Sequence, residues 1–150
     1  MNLWRLGDLA LQNMAAGNSF TFQFLPVEGT TMILPGGLPI HWPELQWDDE
    51  WQSFKFREKQ KRWKRIWGGF FVQNVVSALA SVLVRGAMLR IRQRGLRIIL
   101  NEHDAVGVLV PIDGNEENVL QTIIEDMRRP PDWAPDLPLD AEGKLARTWQ

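Results

Sequence analysis

The chain has 150 residues, of which 45% are hydrophobic and 23% are charged. This length and composition suit one globular domain and exclude a wholly disordered chain. The sequence has no cysteine and two histidines, which excludes disulfide frameworks, thiol nucleophiles and zinc sites built on cysteine or on several histidines. The net charge of −1 hides an uneven distribution, because twelve of the 17 lysines and arginines lie between Lys55 and Arg97 beside one acid, Glu58.

This basic part of the sequence predicts a polyanionic partner, whereas residues 101–142 carry eleven acids against two arginines. Arg5 and Asp8 interrupt the first ten residues. No signal peptide is therefore expected, and the predicted location is cytoplasmic.

The first forty residues predict one helix and three strands. Apolar residues at helical spacing predict a helix over residues 3–16. Alternating phenylalanines predict a half-buried strand over residues 19–25, with a turn at residues 26–29 and a hairpin partner at residues 30–34. A further short strand is predicted at residues 38–42.

Residues 43–55 predict a loop with a possible edge strand, and a strongly basic run follows. Most charge runs are solvated faces, but aromatic residues interleave with these cations. Charge and stacking planes together suit phosphates and bases, so the run is also a candidate nucleic-acid contact. The run comprises Lys55, Arg57, Lys59, Lys61, Arg62, Lys64 and Arg65, with Phe54, Phe56, Trp63 and Trp67.

Residues 70–94 predict a long amphipathic helix that ends at Gly95. The helix overlaps a run of nineteen residues without charge, 66–84, which is long enough to span a membrane. A polar stripe on one side disfavours that interpretation, because lipid penalises buried polar groups. We expect no membrane contact and a polar edge facing a groove, although a core helix with an exposed edge fits equally. The stripe consists of Gln73, Asn74, Ser77 and Ser81.

Two β-rich apolar runs, residues 96–100 and 106–110, predict a buried β-hairpin around five more polar residues. Asn115 is the predicted cap of a second amphipathic helix with acidic residues in its first turn. Pro130 ends this helix, and an extended tail follows. The predicted fold class is therefore α+β.

The segment Glu102-His103-Asp104 is the place where titratable groups crowd beside apolar strands. Asn and Asp favour turns for backbone reasons, so a plain turn explains the segment. Alternatively, an aspartate held at the end of a hairpin can present a carboxylate to Mg²⁺. A pair of such ions needs at least one further acid. No phosphate-binding loop, dinucleotide-binding glycine pattern or Gly-x-Ser-x-Gly motif occurs in the sequence.

Four segments, taken in order, resemble motifs of one family. Residues 33–37, Ile-Leu-Pro-Gly-Gly, resemble its Leu-Pro-Ser-Gly-Arg segment, and residues 75–80, Val-Val-Ser-Ala-Leu-Ala, resemble its helix Glu-Asn-Val-Val-Gln-Ala-x-Ala. Residues 98–106 contain His103-Asp104, where the family has Val-His-Asp-Glu. Residues 131–143 are similar to its closing Trp-Ala-x-x-Leu-Pro-Ile-x-x-Glu-Gly. The chain thus resembles the C-terminal palm of family A DNA polymerases, phage-type members in particular.

The resemblance implies a partial polymerase palm, in which residues 1–150 form one domain. A small antiparallel sheet and a catalytic hairpin at about residues 96–110 would pack against the long helix and a second amphipathic helix. Asp104 corresponds to one of the two aspartates that hold the Mg²⁺ pair, and His103 to the histidine beside the primer terminus. The contacts implied with a DNA primer–template involve Gln73, Asn74 and Ser77 in the minor groove. Charge adds Arg62, Lys64 and Arg65 near the phosphates.

The sequence also departs from the family pattern. Ala105 replaces the glutamate of the hairpin motif, Ser77 a glutamine, Gln73 a glutamate of phage members, and Phe70 a lysine. The family's upstream aspartate (motif A) and its fingers helix have no counterpart in the sequence, so the chain alone is expected to polymerise nothing. Two hypotheses follow: one half of a split, phage or bacterial-host polymerase completed by a second chain with motif A and fingers, or a degenerate, non-catalytic nucleic-acid-binding scaffold.

Overall fold

The computed structural model of the chain describes residues 2–59 and 62–148, so Lys61 of the predicted basic run lies outside the described residues. These ranges form a mixed α/β fold with three helices and three small antiparallel sheets. The residues group into two compact units, and the boundary between Leu79 and Ala80 falls inside the long central helix. The α+β class is confirmed, whereas one domain over residues 1–150 stays a prediction.

Helix α1, Leu3–Ala15, opens the first unit and confirms the predicted first helix. The side-chain oxygen of Asn2 accepts a hydrogen bond from the Trp4 N–H at 3.1 Å, which satisfies one of the donors that a helix start leaves unpaired. Leu11 and Met14 are fully buried. Their spacing of three residues places both on one helix face, and this face anchors α1.

The first sheet corrects a predicted turn. The turn at residues 26–29 is wrong, because Pro26 lies within a strand and the chain turns first at Gln23, which has a φ of +58°, and again at residues 29–30. Residues 31–33 therefore pair with residues 25–28, and the predicted pairing with the strand at residues 19–25 is wrong. Leu25 and Val27 are 2% and 1% exposed. Burying them stabilises the strand by about 1.5–3 kcal/mol each, which outweighs the turn preference of Pro26. The strands, in sheet order, are β1 (Ser19–Phe22), β2 (Leu25–Glu28), β3 (Thr31–Ile33) and β4 (Pro39–His41).

Strand β4 confirms the short strand predicted at residues 38–42, and an edge strand does occur within residues 43–55. It belongs to a second antiparallel sheet, which includes part of the basic run. Phe71, at the centre of the aromatic core of this unit, lies 5.2 Å from Phe22 and 5.0 Å from Trp42 between ring centroids. The second sheet consists of β5 (Gln46–Asp48), β6 (Ser53–Arg57) and β7 (Trp63–Ile66).

Helix α2, Gly68–Gln93, confirms the long helix predicted at residues 70–94. At its start, a carboxylate oxygen of Asp8 accepts a hydrogen bond from the Gly68 N–H at 2.6 Å, where a negative charge favours a helix N-terminus. The backbones of Gly7 and Gly68 approach so closely that a Cβ on either residue would overlap a backbone atom of the other helix. These two glycines therefore fix where α1 crosses the start of α2.

Among the described residues, α2 is the one helix with the length and composition to cross a membrane. Only 17% of its most apolar window is buried. One helix that passes a length and composition test is weak evidence, so this property alone assigns no membrane.

The second unit contains a hairpin and a helix. Strands β8 (Arg97–Glu102) and β9 (Ala105–Leu109) pair antiparallel, and α3 spans Glu116–Arg128. The predicted five-residue hairpin connection is wrong, because only His103 and Asp104 lie between the strands. Asn115 occupies the predicted cap position of α3 but forms no side-chain cap hydrogen bond. Instead, backbone N–H groups of Glu116 and Gly114 lower the pKa of the Glu116 carboxyl.

Asp126, in α3, is a charged residue only 3% exposed, and two arginines satisfy it. Arg94 donates to the two carboxylate oxygens at 2.6 and 3.0 Å, and this contact raises the pKa of Arg94. Arg90 donates to the backbone oxygens of Asp126 at 2.7 Å and of Arg129 at 3.3 Å. These carbonyls end α3 and would otherwise lack partners. We call Arg90, Arg94 and Asp126 the arginine clamp.

Candidate functional site

His103 and Asp104 form the tip of the β8–β9 hairpin. Glu102 pairs with Ala105 as the last strand pair, so the connection is a tight two-residue turn. His103 adopts a φ of +55°, a left-handed conformation that costs a non-glycine residue about 1–2 kcal/mol. The hairpin therefore holds both side chains at one end, and backbone strain is concentrated at His103.

Asp104 is exposed, and its carboxylate forms no ion pair or hydrogen bond with any residue in ranges 2–59 and 62–148. An exposed carboxylate of this kind can bind a divalent cation through one oxygen. No group of three or more histidine, aspartate or glutamate residues within the described part of the chain could hold a metal ion. The geometry thus offers one candidate ligand at Asp104.

The hairpin that carries Asp104 is more exposed than its sequence predicts. Ile99 is 56% exposed and Leu109 is 49% exposed, so the prediction of a buried hairpin is wrong. The sheet has only two strands, and its pairing shifts between Ile98 and Leu100, which leaves Ile99 as an extra residue. A bulge of this kind bends the strand and re-aims nearby side chains.

The polar edge of α2 in the first unit is accessible. Gln73 and Ser77 are exposed, and Asn74 is half-buried. None of their side chains is hydrogen-bonded to a residue that the structure describes. Amide and hydroxyl groups left open in this way can donate and accept hydrogen bonds in a groove of DNA.

The predicted basic run does not form one surface. Strand pairing places Lys55 opposite Arg65 and Arg57 opposite Trp63, so these four side chains share one face of the β5–β7 sheet. Lys64 pairs with Phe56 and lies on the other face, because successive residues of a strand point to opposite sides. We call the face with Lys55, Arg57, Arg65 and Trp63 the cationic face.

Lys64 and Arg62, which the sequence grouped with Arg65, have other surroundings. Lys64 forms an ion pair with Glu58 at 3.2 Å and lies over the Phe70 ring, 5.2 Å from its centroid. Arg62 precedes β7, is exposed, and accepts a hydrogen bond at its backbone oxygen from the Glu58 N–H at 2.9 Å. Of the three predicted phosphate contacts, Arg65 is therefore the one that lies on the cationic face.

Two tryptophans order the cationic face. Lys55 and Arg57 lie over the Trp63 ring at 4.6 and 4.3 Å from its centroid. The Arg65 guanidinium lies 5.0 Å from the centroid of Trp51, in the connection between β5 and β6. At these distances the negative face of an aromatic ring attracts a cation by about 0.5–2 kcal/mol.

Two acids partly neutralise the cationic face. Asp48 forms an ion pair with Lys55, and this hydrogen bond lowers the pKa of the Asp48 carboxyl. Glu44 lies 3.3 Å from Arg57, as an exposed pair. Exposed pairs contribute little, about 0–1 kcal/mol, and Arg65 has no acidic partner within residues 2–59 and 62–148.

The sequence pattern placed Lys55 and Arg57 in the basic run but did not separate the face they share with Arg65 from the face that carries Lys64. Their spacing of two residues within the basic run was the available signal, because it is the period of a strand. The missing information was the register with β7, which brings Arg65 to the same face. The first unit contains the polar edge of α2 (Gln73, Asn74 and Ser77) and the cationic face. The second unit contains His103 and Asp104.

Comparison with known proteins relates the chain to a polymerase. A DNA polymerase of Bacillus phage SP02 is 29% identical over 129 residues, which cover 80% of this chain and 19% of that polymerase. The chain thus spans about 19% of the length of the relative it matches. No protein-family model matches the chain, and no solved structure matches it significantly. The similarity supports a function related to DNA polymerases.

Proposed function

We propose that the chain is a palm segment of a family A, phage-type DNA polymerase, in which Asp104 binds Mg²⁺ for nucleotidyl transfer. The observation that carries this proposal is the position of Asp104 in an exposed two-residue turn, without an ionic partner among the described residues. The similarity to a phage DNA polymerase supports it independently.

The proposed chemistry needs more than Asp104. A bound pair of metal ions would supply charge stabilisation for phosphoryl transfer, and holding it would need further carboxylates and substrate phosphates beside Asp104. We assign the second carboxylate and the groups that bind the triphosphate to polymerase residues outside 1–150, on a second chain of a split enzyme. His103, adjacent to Asp104 in the turn, would contact the primer terminus.

The proposed primer–template contacts use two surfaces of the first unit. The open polar groups of Gln73, Asn74 and Ser77 suit the hydrogen-bonding groups of the minor groove. Arg62, Lys64 and Arg65 would contact backbone phosphates, which give affinity without sequence preference. Contact with a second chain is supported by the exposed apolar side chains of the second unit, among them Ile99, Leu109 and Ile112.

We also propose that α2 faces DNA rather than lipid, in a cytoplasmic protein. The open polar edge of the helix supports this, because lipid would leave those groups unsatisfied. Flotation with phosphatidylcholine vesicles tests the proposal. The chain should stay in the bottom fraction of the gradient, without the vesicles. Stable insertion into the neutral vesicles would contradict the proposal.

Primer extension is the decisive test of the proposed function. The full chain is assayed alone, and then with a polymerase chain from the same genome that carries the upstream aspartate and the fingers. Activity should appear only with both chains and should fall at least about 100-fold for Asp104→Asn, because a metal ligand supplies several kcal/mol to the transition state. Glu102→Gln, a neighbouring exposed acid, is the matched control. Equal activity of Asp104→Asn and the unmodified chain refutes the assignment.

A non-catalytic scaffold is the second candidate, and Ala105 favours it. Ala105 is exposed next to Asp104, at the position where the family motif has a glutamate. In this case the mixture of chains extends no primer, yet the chain binds duplex DNA with an affinity that falls as salt rises. Ala105→Glu separates the two candidates further, since it should raise extension by a catalytic pair of chains and leave a scaffold inactive.

A further inference from the structure

The charged side chains of the cationic face have a fixed arrangement on the β5–β7 sheet. A run of charges that only faces solvent does not require such an arrangement. Lys55 and Arg65 are direct cross-strand partners, and like charges placed opposite each other destabilise a sheet. Asp48 compensates Lys55. Arg65 has no acidic partner among residues 2–59 and 62–148. One uncompensated charge therefore remains beside two others on one face of the sheet.

The tryptophan rings hold these cations in place before any ligand arrives. Trp63 lies under Lys55 and Arg57, and Trp51 lies under Arg65. Free lysine and arginine side chains lose about 1.5–2 kcal/mol of conformational entropy when they become ordered. Because the rings already restrict these side chains, less of that loss would accompany binding of an anion.

We infer that the cationic face binds the phosphate backbone of a single nucleic-acid strand, which in a polymerase is the unpaired template. This inference rests on the proposed function and extends it by naming the ligand of Arg65. Lys55 and Arg57, two residues apart on the neighbouring strand, add positive charge on the same face as Arg65. Cationic surfaces that carry aromatic side chains are typical of single-strand binding, and bases can stack on arginine planes.

Fluorescence anisotropy with the full chain tests the inference without any extension reaction. A labelled oligo-dT and a blunt duplex of equal length are titrated over a salt series. The chain should bind oligo-dT more tightly than the duplex. For Arg65→Gln, affinity should fall about tenfold, as for loss of a charged hydrogen bond, and the log–log salt slope should shrink by about 0.7 per lost phosphate contact.

Arg5→Gln is the matched control, because Arg5 is an exposed arginine of the same unit, on α1, away from the β5–β7 sheet in sequence. An equal loss for both variants overturns the inference, as does tighter binding of the duplex. Binding to anionic phosphatidylserine vesicles without binding to oligo-dT also overturns it and identifies a lipid surface instead.

Amide chemical shifts can be measured on the unmodified chain, so this test does not require any variant to fold. Oligo-dT should shift the amides of β6 and β7 and leave those of β8 and β9 in place. The opposite pattern contradicts the inference. Loss of extension by Asp104→Asn with unchanged oligo-dT binding separates this site from the proposed metal ligand, so either proposal can fail alone.

Discussion

The β6–β7 and β8–β9 hairpins differ in how deeply they are buried, and the difference is the reverse of what their amino-acid compositions predict. The β6–β7 segment is strongly basic, yet Ile66 on its apolar face is fully buried and Phe54 is buried beside it. The β8–β9 segment is rich in isoleucine, leucine and valine, yet Ile99 and Leu109 lie largely exposed. Local hydrophobicity therefore does not determine which hairpin is buried.

The neighbours of each hairpin explain the difference. Strand β5 adds a third strand beside β6, and Trp47 packs edge-on against Phe54 at 5.1 Å between centroids. Alternation then directs the cations to the opposite face, where the tryptophans support them. Within residues 2–59 and 62–148, no third strand joins the β8–β9 hairpin, and two-stranded sheets are marginal alone. An apolar strand is buried only where another element covers it.

The largest effect should come from truncating matched isoleucines in the two hairpins. Ile66→Ala should lower the free energy of unfolding by about 2–5 kcal/mol, because it leaves a cavity in a fully packed site. Ile99→Ala should lower it by less than about 1 kcal/mol, since the side chain is already largely in water. Urea denaturation of both variants measures the difference. Equal losses would mean that the β8–β9 hairpin is as well covered as β6–β7.

The arginine clamp should contribute the next largest effect. Asp126→Asn should destabilise the second unit by about 2 kcal/mol, because Arg94 loses its charged partner but, half-exposed, remains solvated. Amide hydrogen exchange in α3 measures the loss within this unit. Protection in β6 and β7 serves as the internal control. Unchanged exchange in α3 would show that Arg90, through the backbone carbonyls, suffices.

The cationic face should show a pH-dependent effect. The hydrogen bond from Lys55 lowers the pKa of Asp48 in the folded state, so the pair stabilises the fold fully above the unfolded carboxyl pKa of about 3.9. This contribution is lost as the pH falls through the lower folded pKa. Asp48→Asn should thus be less stable than the unmodified chain at neutral pH. Denaturation curves at several pH values should show the gap closing below about pH 4; a constant gap would contradict the role of the charge.

The smallest effect should come from the strained turn of β8–β9. His103→Asn should stabilise the hairpin by up to about 1 kcal/mol, because asparagine adopts the left-handed conformation more readily. Slower amide exchange in β8 and β9 would confirm the strain, and faster exchange would contradict it. If the same variant lowers primer extension by the two chains, the strained histidine is kept for its contact with the primer.

The helices were predictable because their signals are local. The spacing of Ala10 and Met14, the long period of α2 and the acidic first turn of α3 each describe a segment without reference to any other. Turn positions were less predictable. Pro26 suggested a turn that the burial of Leu25 and Val27 prevented, and the two-residue turn at His103 needs a positive φ that its sequence does not announce.

Part of the candidate site could likewise be predicted from local patterns, and part of it depends on strand pairing. His103 and Asp104 were predicted from a short contiguous motif, and the polar edge of α2 from helical spacing, and both stay predictions as site residues. The basic run was treated as one group, because only strand pairing shows that Lys55, Arg57 and Arg65 share one face. For the same reason, Lys64 was grouped with Arg65 although alternation separates their side chains by the thickness of the sheet.

The sequence by itself determined the α+β class, the three helices, the basic concentration in residues 55–97 and the acidic tip of the last hairpin. Only the tertiary structure decided which cations share a face, which hairpin is buried and which arginines hold Asp126. Periodicity and charge are properties of single segments, and the chain carries them before it folds. Register and burial depend on the energies of contacts between distant segments, which exist only once the segments have met.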